Sequence, residues 1–469
     1  MLFTELRFFA FFLVALAVYW GMRRDGWRKT WLLACSYVFY GAWDPRFLAL
    51  IVASTVIDFF AGAWVARAAT PGRRRLGVAV SLVANLGLLG FFKYYNFFVE
   101  SAAGLLEAFG FEPSLSTLRI ILPVGISFYT FQTLSYTLDI YFGSLKPTRS
   151  LRDFALFVAF FPQLVAGPIV RARDFLPQLD SARRWADVAV RSHLALFVFG
   201  FVKKACVSDN VAILTDQVFA YPEAYGVLDK WMAVGLYAVQ IYCDFSGYTD
   251  MAIASAGLLG YSLTLNFNFP FFSVSITDFW RRWHISMMSW FRDYVYIAFG
   301  GNRAGTVRTY SNLLLTFFLA GLWHGANWNF VLFGLFNGVF LMVERWGIRN
   351  RGFDPFRPRL WGRVYMLWVI AMSYVLFRNP DFPAAWTYFK GLYWSQPLVA
   401  AEGAAPVDPR WWLVVFGFGF VHWLMWRRFL HRFFAGLPDW VVAVVLGVLT
   451  ALLLPLLPTE YQPFIYFQF

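Results

Sequence analysis

Charge and cysteine are both scarce in this sequence. Asp, Glu, Lys and Arg make up 14% of 469 residues, too little to solvate the surfaces of several soluble domains. The three cysteines, Cys35, Cys206 and Cys243, lie in apolar contexts without metal-ligand spacing, which excludes a disulfide framework and leaves no metal site to expect. Acidic residues are the rarer sign, 27 against 40 Lys and Arg. The net charge of +13 invites a nucleic-acid reading, but the basic residues sit in short loops between apolar runs. That is the positive-inside pattern of a membrane chain, and it implies no nucleic-acid partner. Soluble domains, internal repeats and low-complexity tails are missing as well, so residues 1–469 read as one transmembrane domain.

What remains is apolar. The chain is 59% hydrophobic with a mean hydropathy of +0.55, and runs of helix-spanning length recur from end to end. The expectation is an all-α polytopic membrane protein surrounded by lipid. Aromatic residues reach 21%, including 22 Trp, enough to furnish both interfaces and to pack inside the bundle. Residues 8–20 read as a first membrane helix, not a cleaved signal. Loop charges then alternate in sign, with Arg23, Arg24, Arg28 and Lys29 inside and Glu100, Glu107 and Glu112 outside. Full crossings number about eleven.

Several runs depart from plain spans. Residues 120–142 are interrupted by Pro123 and Gly125 and dotted with Ser127, Tyr129, Gln132, Ser135, Tyr136 and Asp139, so they line protein or water. Residues 154–170 hold Pro162 and Pro168 between basic flanks, which favours a re-entrant segment. The stretch 194–207 reads as an outward crossing into a stretch with Asp209, Asp216, Glu223 and Asp229 and no basic residue before Lys230. Gln240, Asp244, Ser246, Tyr248, Thr249 and Asp250 look like a cavity wall or interhelical glue. A long loop is expected at 378–410, and 458–469 as an extracytoplasmic tail.

One titratable imidazole stands inside an apolar run, 313–335, that otherwise carries no charge: His324, in Gly321-Leu322-Trp323-His324-Gly325-Ala326-Asn327-Trp328. An ionisable group at membrane depth costs a few kcal/mol unless it faces a cavity or partner, so it is a functional hypothesis; a neutral interhelical hydrogen bond is the plainer reading. Gly321, Gly325 and Ala326 allow close helix approach or local unwinding beside the ring. A second element, Thr277-Asp278-Phe279-Trp280-Arg281-Arg282-Trp283-His284 followed by Arg292 and Asp293, interleaves aromatics with arginine, as in a helix lying in the cytoplasmic interface over 276–310. There Thr277 reads as the N-cap, and Asp278, Arg281 and His284, three apart, are expected on one helix face. His193, His422 and His431 sit beside basic loops or helix ends and read as structural or solvated.

Taken together, Phe161-Pro162-Gln163 with Gly167-Pro168-Ile169, Asp278 to Ser286 and the Trp323-His324-Gly325 element resemble the signatures of the membrane-bound O-acyltransferase superfamily. The resemblance is to its bacterial branch that includes alginate O-acetyltransferases and teichoic acid D-alanyl transferases. The closing Phe464-Ile465-Tyr466-Phe467-Gln468-Phe469 is similar to the ends of the polysaccharide-acetylating members. This implies an all-α bundle with re-entrant pieces, hollowed by funnels from both faces that meet at the catalytic His. It implies His324 as the catalytic base and His284 as its supporting partner.

Acetyl-CoA is the implied acyl donor, with no permanently bound cofactor. A hydroxyl attacks a thioester slowly unless a base takes its proton, and an apolar setting keeps imidazole neutral for that task. The oxyanion donor falls to His284, Asn327 or a Trp indole such as Trp323, and Asp278 supports. Arg281, Arg282 and Arg292 meet the donor's phosphates or simply anchor the helix. Tyr466 is a candidate covalent relay, by analogy with acyl-export systems of the branch, or an interfacial aromatic.

The implied product is an O-acetylated extracellular polysaccharide, made at the bacterial inner membrane with a periplasmic SGNH or esterase-like acetyltransferase as partner, since no Gly-x-Ser-x-Gly elbow is present. Peptidoglycan acetylation and D-alanyl transfer use the same core. A transporter or flippase would favour inverted repeats, which are absent from the sequence, and a purely structural scaffold for a polymer synthase would need no His324 chemistry.

Overall fold

A computed structural model describes the chain except residues 304, 396, 398, 400–403, 458–463 and 466–469. Helices are joined by turns and irregular segments, and no strand occurs among the described residues. The chain divides into two compact units, residues 1–193 with 252–264, and residues 194–251 with 265–469.

In the first unit, helices Leu6–Gly21, Asp25–Gly41 and Leu48–Arg67 precede a long element, Pro71–Leu89, which runs through the π-turn Gly90–Tyr94 into Tyr95–Ala108. Pro71 begins it without losing a bond, since the first N–H groups of a helix have no partner anyway, and Thr70 caps it by accepting from Arg73 N. Two spans here are long and apolar enough to cross a bilayer, Pro45–Arg67 and Pro71–Ala108. Asp58 is buried and accepts from Asn85 Nδ2 at 2.6 Å, from Thr137 Oγ1 at 2.8 Å and from Ser81. A carboxylate can stay buried only with such donors around it, so this polar knot ties three helices.

The interrupted run 120–142 becomes helical only at Ile126, after Gly125 adopts a left-handed φ of 74°, and its polar residues are buried in protein. The run 154–170 folds as Leu151–Ala159 and Phe161–Leu164. Nine residues rise about 13 Å, under half a hydrocarbon core, so this segment does not cross.

The second unit begins at Leu194, within an unbroken helical stretch formed by Val190–Phe201, Val202–Ser208 in π-geometry and Asp209–Ala220. Asp209 is therefore helical and buried, with its carboxylate 2.7 Å from Lys204 Nζ. The 32-residue helix Val227–Leu258 follows. Next come the short helices Ile276–Arg282 and Ile285–Phe291, then Thr306–His324, Trp328–Arg351 and Leu360–Arg378, of which the last two also qualify as spans. The expected long loop 378–410 contains a further helix, Phe382–Tyr393, started by Asp381 accepting from Ala384 N with Pro383 in its first turn.

Candidate active site

His324 is the last residue of Thr306–His324, and three residues later Asn327 starts the antiparallel Trp328–Arg351. Glycines set how near these helices come. A Cβ on Gly321 would stand 2.2 Å from the Phe330 carbonyl oxygen, and one on Gly334 would stand 2.1 Å from that of Phe317. Backbones this close hold the His324 Cα in a fixed place, as small residues do at membrane helix contacts.

The His324 ring is 4% exposed and meets Phe377 edge-on at 5.2 Å, Phe333 at 5.7 Å and Trp323 at 5.1 Å. It lines a narrow cavity with Trp280, Trp283, Phe333, Tyr374 and Phe377. This is a mostly aromatic enclosure around the imidazole.

His284 is fully buried one ring away: Trp323 lies 5.7 Å from it and 5.1 Å from His324. The expected shared helix face does not form. Ile276–Arg282 ends before Trp283, and His284 adopts a left-handed φ of 45° between the two short helices. That conformation is costly for a residue with a Cβ and persists only where surrounding contacts impose it. Asn266 supplies them. Its main-chain oxygen accepts from Ile285 N at 2.9 Å, while its Oδ1 accepts from Ser286 N at 3.2 Å, from Ser286 Oγ at 2.9 Å and from His284 Nδ1 at 3.1 Å. Because the Ser286 main-chain N–H can only donate, the Asn266 atom facing it must be oxygen. His284 Nδ1 therefore carries the proton, and in the neutral ring Nε2 holds the lone pair.

The other sequence-derived residues divide. Ser275, not Thr277, caps Ile276–Arg282 by accepting from Asp278 N at 3.0 Å; Thr277 instead donates to Glu344, whose carboxylate also takes Ile276 N at 2.7 Å. Two acceptors thus meet the unsatisfied N–H groups of this helix start. Asp278 turns away from the histidines, bonding Arg282 Nε at 2.8 Å and Val274 N at 3.2 Å. Asn327 is committed to its own cap, with Oδ1 accepting from Asn329 N and Nδ2 donating to Pro380 O at 2.7 Å. Arg281 is exposed over the Phe356 ring at 4.5 Å, and exposed Arg292 pairs with Asp293 at 2.6 Å. The aromatics of 276–291 do not form an interfacial face: Phe279, Trp280, Trp283, Trp290 and Phe291 are buried in protein. Tyr466 lies outside the described residues, and so does the His431 side chain.

His422, expected as structural or solvated, is 3% exposed and stacked between Phe272 and Phe418, both at 5.2 Å. His193 is half-buried, with Nδ1 2.7 Å from Ala189 O.

Sequence reasoning missed the lysines. Lys204 is 4% exposed and bridges Asp209 at 2.7 Å and Asp244 at 2.6 Å, while Lys203 pairs with Asp250 and reaches Ser246 at 2.9 Å. Two adjacent lysines inside an apolar run were the available signal. Asp244 Oδ2 also accepts from Ile465 N at 2.8 Å, and Phe464 is buried against Tyr248 at 5.0 Å and Phe245 at 5.9 Å. Phe245 in turn stands edge-on to His284 at 4.6 Å.

Comparison with known proteins agrees with this arrangement. The family described as MBOAT, membrane-bound O-acyltransferase family, matches residues 144–380. A probable alginate O-acetylase AlgI of Azotobacter vinelandii is 41% identical over 369 residues, 78% of this chain and 73% of that protein. A probable alginate O-acetylase AlgI of Pseudomonas putida is 35% identical over 494 aligned positions, 98% of each chain. A peptidoglycan O-acetyltransferase of Helicobacter pylori is 35% identical over 391 residues, covering 78% of this chain and 73% of that protein. With half the chain matched by the family and relatives of this identity along most of its length, the protein belongs to the membrane-bound O-acyltransferase family and is a membrane O-acyltransferase.

Proposed function

We propose that this enzyme takes an acetyl group from cytoplasmic acetyl-CoA and passes it across the bacterial inner membrane for O-acetylation of an extracellular polysaccharide, with a periplasmic esterase-like acetyltransferase completing the transfer. The observation that carries the reading is the enclosure of His324 by Trp280, Phe333 and Phe377 beside the buried His284. Acetyl transfer and a polysaccharide acceptor rest on the names of the relatives.

His324 acts as general base. As the acceptor hydroxyl oxygen bonds to the thioester carbonyl carbon, its proton moves to the imidazole and the carbonyl π pair moves onto oxygen. Collapse of that oxyanion restores C=O and breaks C–S, and the departing thiolate receives the proton from the imidazolium. Excluding water from this step prevents simple hydrolysis of the thioester. His284, whose Nε2 holds a lone pair in the neutral ring, supports as a proton acceptor and not as an oxyanion donor. Arg281 and Arg292, both exposed, meet the phosphates of the donor. Tyr466 is the first acceptor and outgoing carrier. Its neighbours Phe464 and Ile465, buried in the unit that holds His284, support that role.

Purified protein incubated with isotopically labelled acetyl-CoA and read by intact-mass and peptide spectrometry tests the scheme. Label on Tyr466 that disappears in His324→Ala and in Tyr466→Phe is the expected result. His324-dependent CoA release without a labelled tyrosine would overturn the relay but keep the acetyltransferase. CoA release that persists in His324→Ala would overturn the general-base assignment.

A further inference from the structure

The donor that stabilises the oxyanion has three sequence-derived sources, and the contacts of two of them remove them. Asn327 donates one amide N–H to Pro380 O, accepts from Asn329 N through its carbonyl, and is not among the residues that line the cavity. His284 donates through Nδ1 to Asn266, so its Nε2 accepts when the ring is neutral. Ser373, another polar residue at the cavity, donates its hydroxyl to Ile370 O at 2.8 Å.

Trp280 differs. It lines the cavity with His324, it is 7% exposed, and its Nε1–H is buried with no acceptor among the described residues. An indole N–H can only donate, and leaving it desolvated and unpaired is unfavourable unless something else draws on it. Its ring is also held. Phe279 stands edge-on at 5.3 Å, Phe317 at 5.3 Å and Phe333 at 6.3 Å, so the N–H direction is set by packing before any substrate arrives. A preorganised donor in a water-poor site is the arrangement that stabilises developing negative charge most effectively, because nothing has to reorient as the charge appears. A hydroxyl such as that of Tyr374, which also lines the cavity, turns about its C–O bond and lacks that constraint.

We propose that the Trp280 indole N–H is the oxyanion donor of this enzyme, contacting the acyl carbonyl oxygen as His324 accepts the proton of the attacking hydroxyl. The proposal rests on the acetyl-CoA reading above. During the step the carbon–oxygen bond forms, the carbonyl π pair becomes the oxyanion lone pair received by Trp280 Nε1–H, and collapse returns that pair to C=O as C–S breaks. Trp280 neither gains nor loses a proton.

The test removes one N–H and nothing else. In the full-length protein, Trp280 is replaced by 3-benzothienylalanine, which puts sulfur where the N–H was at nearly constant ring shape, alongside Trp280→Phe, Tyr374→Phe and His324→Ala. CoA release from acetyl-CoA, acetyl-CoA binding and thermal unfolding are measured for each. The benzothienyl protein is expected to lose about 10²- to 10³-fold in kcat while acetyl-CoA binding and the unfolding midpoint stay at wild-type values. Wild-type kcat in the benzothienyl protein would overturn the proposal, as would a loss confined to acetyl-CoA binding. So would a comparable loss in Tyr374→Phe when the benzothienyl protein is unaffected. Absence of His324-dependent CoA release in the wild type itself would instead overturn the acetyl-CoA reading beneath it.

Discussion

Gly321→Ala asks whether the contact between two helices, and not the imidazole alone, sets the geometry of the site. The new Cβ would stand 2.2 Å from the Phe330 carbonyl oxygen and 3.0 Å from Gly334 Cα. Ordinary contact begins at 3.4 Å, so the helices must separate by roughly 1 Å. Both opposing atoms are main chain, and no change of rotamer relieves them. On an open helix face the substitution would gain about 1 kcal/mol in helix propensity. Here overpacking costs ~1–3 kcal/mol, and the cost wins.

Gly321 is also one turn before His324, so separating the helices moves the imidazole against Phe333, which sits on the opposing helix. A displacement of about 1 Å in a catalytic group is worth about 10²-fold in rate. The expected outcome is a kcat for CoA release about a hundredfold lower, with a reduced unfolding midpoint by fluorescence-detected thermal melting. Gly347→Ala on the partner helix, where the nearest atom to the new Cβ is Phe353 Cβ at 3.7 Å, should leave kcat unchanged and keep or raise the midpoint, because there only the helix-propensity gain acts. Wild-type kcat and midpoint in Gly321→Ala would refute the reasoning.

Two further predictions concern groups that act from behind the histidines. Asn266→Leu removes the oxygen that takes His284 Nδ1–H, so kcat should fall at least tenfold with little change in acetyl-CoA binding, while Asn266→Asp, which keeps an acceptor there, should retain most activity; equal losses in the two variants would show that the acceptor is not what matters. Lys204→Ala leaves Asp209 and Asp244 buried without their shared cation and should cost ~3–5 kcal/mol, seen as a large drop in the unfolding midpoint. Replacing all three by Met, Asn and Asn should recover much of that loss, and a triple variant as unstable as Lys204→Ala would sink the account.

The reach of the sequence can be judged residue by residue. His324 stood out because an apolar run makes any ionisable group conspicuous, and Gly321 beside it announced the close approach that the helix pair uses. Arginine–aromatic interleaving at 276–292 suggested a membrane-surface helix instead, because periodicity records which residues are apolar and not whether lipid or protein covers them. Thr277 was a reasonable cap by composition, yet Ser275, two residues earlier, takes that place while Glu344, far along the chain, occupies Thr277. Spacing by three gave Asp278, Arg281 and His284 a common face that holds only while the helix continues, and the left-handed turn at His284 breaks it.

Sequence by itself determined the membrane character, the all-helical class and the family, and it singled out His324 as the candidate for the site, since each depends on composition or on short contiguous motifs. Only the tertiary structure decided which nitrogen of His284 bears the proton, which candidate donors are already committed and which carboxylates surround Lys204. Those properties depend on Asn266, Pro380 and Asp244, residues brought to the site from elsewhere in the chain, and a hydrogen bond between distant residues leaves no trace in local pattern.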